Sequence, residues 1–137
     1  MKTMLNWFIN PSVRATRIWI VAEIALIFIL LSIPGDRLPN QDHWWKDLPI
    51  DKMVHMILFG VLAFGFFANF RASKKIQLQG DRPKALALLF CATLGIGMEY
   101  YQKFFVPTRG FEVADMLADT FGAILALPIF KFIYRNK

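Results

Sequence analysis

Four apolar runs divide the 137-residue chain, and each is nearly long enough, as a helix, to cross a lipid bilayer. They read IWIVAEIALIFILLSI (18–33), MVHMILFGVLAFGFFANF (53–70), ALALLFCATLGIGMEYY (85–101) and a fourth from Phe111 to about Tyr134 that begins with its polar end. A helix spans the hydrocarbon core with roughly 20 apolar residues, and each run reaches that length once its interfacial turns are included. The apolar/polar alternation that a membrane β-barrel needs is absent. The pattern predicts an all-α fold, a four-helix transmembrane bundle in one domain over 1–137, with helices at about 12–33, 52–70, 83–105 and 111–134. Pro34-Gly35 stops the first helix, and Pro83 suits the first turn of the third. Arg14 and Arg17 precede the first run, as in a secretory signal peptide. LSIPGD, however, offers no small-x-small cleavage pattern, so the run reads as a retained helix.

Residues of the AVILMFWYC set make up 56% of the chain, and the mean hydropathy is +0.42. A soluble domain, counted even with its glycines, stays near 45–50%. A single cysteine, Cys91, excludes an internal disulfide and reads as a small packing residue. The net charge of +6 is distributed unevenly. Lys2, Arg14, Arg17, Arg71, Lys74, Lys75, Arg82, Lys84, Lys131, Arg135 and Lys137 fall on one side of the expected bundle. Arg37, Lys46, Lys52, Lys103 and Arg109 fall on the other. The positive-inside rule then places both termini in the cytoplasm of a multi-pass protein of the cell inner membrane. Basic charge is thereby a topology signal, and no nucleic-acid partner is needed to explain it.

With that topology three separate stretches bring polar groups to one depth at the outer face. The second helix opens DKMVH, with Asp51 and His55 one turn apart. The third closes EYYQ, with Glu99 and Gln102 across a turn, and Arg109 follows in the short connection. The fourth opens EVADMLAD, with Asp115 and Asp119 again four apart. Ala87, Cys91 and Gly95 form a row of small residues that leads to Glu99. Ala114, Ala118, Gly122 and Ala126 form another, flanked by the two aspartates. Such rows let membrane helices approach closely. Ionisable groups inside a membrane bundle face its interior and pair with one another. The expected pairs are Arg109 or Lys52 with Glu99, Asp115 or Asp119. Glu23, in the first helix, is an acid apart from this set.

The three blocks DKMVH, EYYQKFFVPTR and DMLADTFGAI, over roughly residues 50–130, resemble the VanZ-like family of small bacterial membrane proteins. The resemblance implies functional roles for Asp51, Lys52, His55, Glu99, Gln102, Arg109 and Asp115. Asp119 stands where the family usually has Asn, which adds a carboxylate. The family takes its name from a protein linked to teicoplanin resistance, so the resemblance also points to the cell envelope.

Simpler readings exist for single residues. His55 can be an interfacial histidine bonded to Asp51. Asp115 and Glu112 suit a helix N-terminus, and Lys52 and Lys103 can snorkel. The sequence HWW at 43–45 reads as an interfacial aromatic belt. Taken together, carboxylates with a histidine supply general acids and bases, and Arg109 and Lys52 can hold a phosphate or carboxylate. The expected acid–base residues are His55, Glu99 and Asp115. The expected ligand-binding residues are Asp51, Lys52, Gln102, Arg109 and Asp119. The expected ligand is an anionic membrane lipid or lipid-linked envelope precursor, which the site binds or modifies. No cofactor and no metal is assigned, although His55 with the surrounding carboxylates offers N and O donors to a divalent ion. A purely structural polar network, a proton-linked relay and a partner-binding surface are the alternatives. No Gly-x-Ser-x-Gly or HExxH motif is present.

Overall fold

The computed structural model describes residues 11–37, 50–73, 76 and 80–135. The Trp44–Trp45 belt and its neighbour His43 lie outside the described residues. Among the described residues there are four α-helices and no strands: α1 (Val13–Leu31), α2 (Ile50–Ala72), α3 (Arg82–Phe105) and α4 (Val113–Tyr134), with one 3-10 turn at Gly35–Arg37. Observed and expected ends agree to within two residues.

Local chemistry explains those ends. Ser12 caps α1, its hydroxyl accepting from the Ala15 N–H at 3.1 Å. Pro83 sits in the first turn of α3, where its missing N–H costs nothing. Pro128 lies inside α4, which continues through it. Residues 106–112 link α3 to α4, and Thr108 there adopts φ of 60°. This link is tied to the turn after α1. The Gly35 N–H donates to Pro107 O at 3.4 Å, and the Asp36 N–H to the Thr108 hydroxyl at 3.1 Å. A side chain at Gly35 would lie 2.6 Å from Thr108 O, so only glycine allows that approach.

One stripe of α1 faces inward: Thr16, Ile20, Glu23, Ile27 and Leu31, at spacings of three or four. Glu23 is thus buried in the middle of the bundle. Helix α2 is central and packs against the other three. It buries Leu58, Phe59, Leu62, Ala63, Phe67 and Ala68. Its main neighbour is α4, and the two cross where both have glycine. A Cβ on Gly122 would lie 2.0 Å from Met56 O, and one on Gly60 would lie 3.2 Å from Gly122 O. The backbones therefore touch, as small-residue rows allow. The α4 row differs from its expected form in its first half. Ala114 is exposed and Ala118 half-buried, whereas Asp115, Asp119, Gly122, Ala123 and Ala126 are buried. The acidic strip, not the alanine strip, faces the bundle. At the opposite end Asn69 of α2 donates to the Thr16 hydroxyl at 2.7 Å, fixing α1 there. Phe64, Phe67, Phe130 and Tyr134 pack below with their rings edge-on or tilted.

Two helices, α2 and α4, are long and apolar enough to cross a membrane. α1 has Arg14, Arg17 and Glu23 within its 19 residues, and α3 has charge at both ends.

Candidate functional site

The end of α1, the start of α2, the end of α3 and the start of α4 meet at one end of the bundle. His55 lies five residues into α2, Glu99 six residues before the end of α3, and Asp119 six residues into α4. At 1.5 Å per residue, all three sit roughly 8–9 Å inside their helix ends. That shared depth lets them meet.

At the centre the His55 Nδ1–H donates to Asp119 Oδ1 at 2.9 Å, and both side chains are 0% exposed. The residue paired with His55 is therefore Asp119, not the helix neighbour Asp51. Room for this carboxylate comes from Gly95 on α3: a Cβ there would lie 2.6 Å from Asp119 Oδ2. Gly95, expected only to help helices approach, in fact houses the Asp119 carboxylate. Glu99 is also fully buried, and its Oε2 accepts the Glu112 backbone N–H at 2.8 Å. It thereby satisfies a free donor just before α4, as a capping residue would, but from a neighbouring helix.

Two cations close the mouth. Lys52 Nζ lies 2.8 Å from Glu112 Oε2 and 3.2 Å from Asp115 Oδ1. Arg109 donates through Nη1 to both oxygens of Asp51, at 2.9 and 3.0 Å, and through Nε to Ile33 O at 3.4 Å. The Lys52–Asp115 pair is one of those expected from sequence. The Arg109 partner is not: it is Asp51, because the 106–112 link turns the guanidinium back across the start of α2. Glu112, expected to serve only the helix terminus, is a rim partner of Lys52. Gln102 donates to Leu31 O at 3.0 Å, so this candidate ligand-binding residue holds the last turn of α1. Gln102 thus serves a carbonyl that α1 leaves unpaired at its C-terminus, and Arg109 one in the turn just after it.

The residues are packed as a solid polar cluster. The marked cavity nearby is an apolar groove of about 410 Å³ along α2 and α4. It begins at Met56 and Gly122, beside the His55–Asp119 pair, and its wall includes Gly60, Val61, Phe64 and Trp19. Within the cluster, among the described residues, His55 Nε2, Glu99 Oε1 and Asp119 Oδ2 are buried without a hydrogen-bond partner. Asp115 Oδ1 has only its ion contact with Lys52. Polar atoms buried without partners are costly, and three of them fall in this one cluster. Charge is also unbalanced: Asp51, Glu99, Glu112, Asp115 and Asp119 outnumber Lys52 and Arg109.

No curated protein and no solved structure matches this chain at a significant level. A family model does, over residues 4–134, which takes in all four helices and every residue of the cluster. The chain belongs to the VanZ/LLP1 family.

Proposed function

We propose that this chain is a four-span protein of the bacterial inner membrane, with both termini in the cytoplasm, that binds an anionic envelope lipid at its outer face. The carrying observation is the buried His55–Asp119 pair beneath a rim of Lys52 and Arg109, at the mouth of an apolar bundle. The outer surfaces of α1 and α3 support four spans, although these two helices carry more charge than α2 and α4. Val21 and Ile18 on α1 are 68% and 62% exposed, and Leu86 and Leu89 on α3 are 65% and 62% exposed. Apolar surface on that scale needs lipid or a partner to cover it. Topology is tested with a membrane-impermeant thiol reagent in a Cys91→Ser background. Gly110→Cys is expected to label in intact cells and Asp81→Cys only after permeabilisation. The reverse pattern would invert the placement of the site.

The groove beside the pair suits one acyl chain, with the head group at Lys52 and Arg109. Opening the exposed Lys52–Glu112 pair frees an ammonium for a head-group phosphate, and Arg109 adds further donors. His55, oriented by Asp119, is placed as the acid–base group if the head group is modified. Lipid co-purified with the wild-type chain and with His55→Ala and Glu99→Gln, quantified by mass spectrometry, tests the proposal. An anionic lipid is expected to be enriched in the wild type and lost in both variants, which stay folded. Equal lipid in all three would refute it. Loss of expression and thermal stability in both variants would instead assign the cluster to bundle architecture. The family's link to glycopeptide resistance gives a cellular assay: expression is expected to raise teicoplanin tolerance, and His55→Ala to abolish the gain.

A further inference from the structure

The orphaned atoms and the excess of carboxylates ask for a cation, and the geometry supplies a place for one. One donor atom from each of Asp51, His55 and Asp115 lies within 4.8 Å of the other two. A point equidistant from three donors 4.8 Å apart lies about 2.8 Å from each. Zn²⁺–N and Zn²⁺–O bonds run near 2.0–2.2 Å, so side-chain movement of roughly 0.6–0.8 Å toward the ion closes the set. We propose that Asp51, His55 and Asp115 bind a divalent cation of the Mn²⁺ or Zn²⁺ class at the mouth of the bundle.

The histidine decides between an ordinary acidic cluster and a metal site. Its Nδ1 is committed to Asp119 Oδ1 at 2.9 Å, so in the neutral imidazole the proton sits on Nδ1 and the lone pair on Nε2. Nε2 is buried with no partner. A carboxylate on one ring nitrogen and a metal on the other is the arrangement that orients metal-binding histidines and strengthens their basicity. Asp119 is then a positioning residue, and Gly95 positions Asp119. Asp115 Oδ1, also buried, meets Lys52 Nζ at 3.2 Å and, as a carboxylate oxygen, has a further lone pair to share. Asp51 is partly exposed and, although both its oxygens accept from Arg109, a carboxylate has further lone pairs to share. One imidazole with two carboxylates is a borderline donor set, which suits Mn²⁺ and Zn²⁺. Two carboxylates also match the charge of the ion, while Arg109 and Lys52, already against Asp51 and Asp115, hold those two carboxylates in place.

The inference stands apart from the lipid reading, since the metal is bound by protein groups alone. It also deepens that reading, because a divalent ion at this position offers a phosphate the positive charge that the acidic cluster lacks. The test uses the full chain in detergent, without a polyhistidine tag, stripped with chelator and titrated with Mn²⁺ alone. Electron paramagnetic resonance reports the free ion, and pulsed measurements report coupling to a histidine nitrogen. One Mn²⁺ per chain with nitrogen coupling is expected. His55→Gln should remove the coupling and weaken binding at least 30-fold, as should Asp115→Asn. Asp51→Asn, at the more exposed ligand, serves if either buried variant fails to fold, and Asp81→Asn at the other end should bind as the wild type. Absence of stoichiometric Mn²⁺ in the folded wild type, or binding unchanged in the three ligand variants, would overturn the proposal. The cations of the site would then be Lys52 and Arg109 only. Metal bound without co-purified lipid would refute the lipid reading alone, and lipid without metal would refute this one alone.

Discussion

Replacing Gly122 with alanine tests the contact on which the geometry of the site depends. The added Cβ would meet Met56 O at 2.0 Å, its carbonyl carbon at 2.7 Å and its Cα at 2.8 Å. All three are backbone atoms, so no rotamer change relieves the clash. An ordinary carbon–oxygen contact needs more than about 3.2 Å, and α2 and α4 must therefore separate by roughly 1.2 Å or more. The His55–Asp119 hydrogen bond spans the same two helices at 2.9 Å, within two turns of the crossing. Stretched by that amount it exceeds 4 Å and ceases to be a hydrogen bond. Overpacking of a close interface costs about 1–3 kcal/mol, and loss of a charge-assisted buried bond adds about 1.5–3 kcal/mol. The expected total is about 2.5–6 kcal/mol, or roughly 10 °C or more in melting temperature. Gly97→Ala is the matched control. It lies mid-helix in α3 with nothing within 4 Å of the new Cβ, so it should melt at or slightly above the wild type. Paired melts in one detergent decide the matter. A Gly122→Ala melt within 2 °C of wild type would show that the helices do not cross so closely, and the derivation of the site from that crossing would fail.

Gly95→Ala pushes on a movable carboxylate, not on backbone; it should cost only about 1–2 kcal/mol yet weaken Mn²⁺ or lipid binding at least tenfold, read by titration beside a melt. Asp119→Ala strands the His55 Nδ1–H and should destabilise by about 1–3 kcal/mol, whereas Asp119→Asn keeps an acceptor and should melt near the wild type, a distinction lost if the two variants behave alike. Arg109→Ala removes the partner of Asp51 and of Ile33 O, and a double-mutant cycle with Asp51→Asn should return about 1–3 kcal/mol of coupling; additivity would mean that the pair does not form. Asn69→Ala removes the 2.7 Å bond to Thr16 at the far end and should cost about 1 kcal/mol with no change in binding at the cluster.

Hydropathy and two boundary signals place the four helices from sequence, since Pro34 and Pro83 act locally and hydropathy needs no partner. The meeting of Asp51, His55, Glu99 and Asp115 at one end was also readable, because antiparallel helices of similar length bring residues at matched depths together. Which group pairs with which was not. Spacing puts Asp115 and Asp119 on one face of α4 but does not set the rotation of α4 against α2, which the Gly60–Gly122 crossing determines. For that reason Asp119, and not Asp51, holds His55. The partner of Arg109 depends on a link in which Thr108 takes a positive φ, a conformation that its residue type does not advertise. Gln102 and Glu112 were ambiguous for the same reason, since their partners are backbone and rim groups of other elements.

The α2–α4 crossing also sets the order in which the molecule can be completed. The chain is made from α1 to α4, and α3 emerges before the helix against which α2 packs most extensively. Until α4 is synthesised, His55 has no acid on its Nδ1, Lys52 has neither Glu112 nor Asp115, and Glu99 has no amide to accept. A nascent chain ending near residue 105 therefore carries a histidine and a glutamate without the partners they have in the finished bundle, at a cost of about 1–3 kcal/mol for each polar group buried unsatisfied. The last helix supplies Asp115 and Asp119, for the second of which Gly95 of α3 already leaves room, so the centre of the cluster closes only with α4, whereas the Gln102 contact with Leu31 O needs α1 and α3 alone.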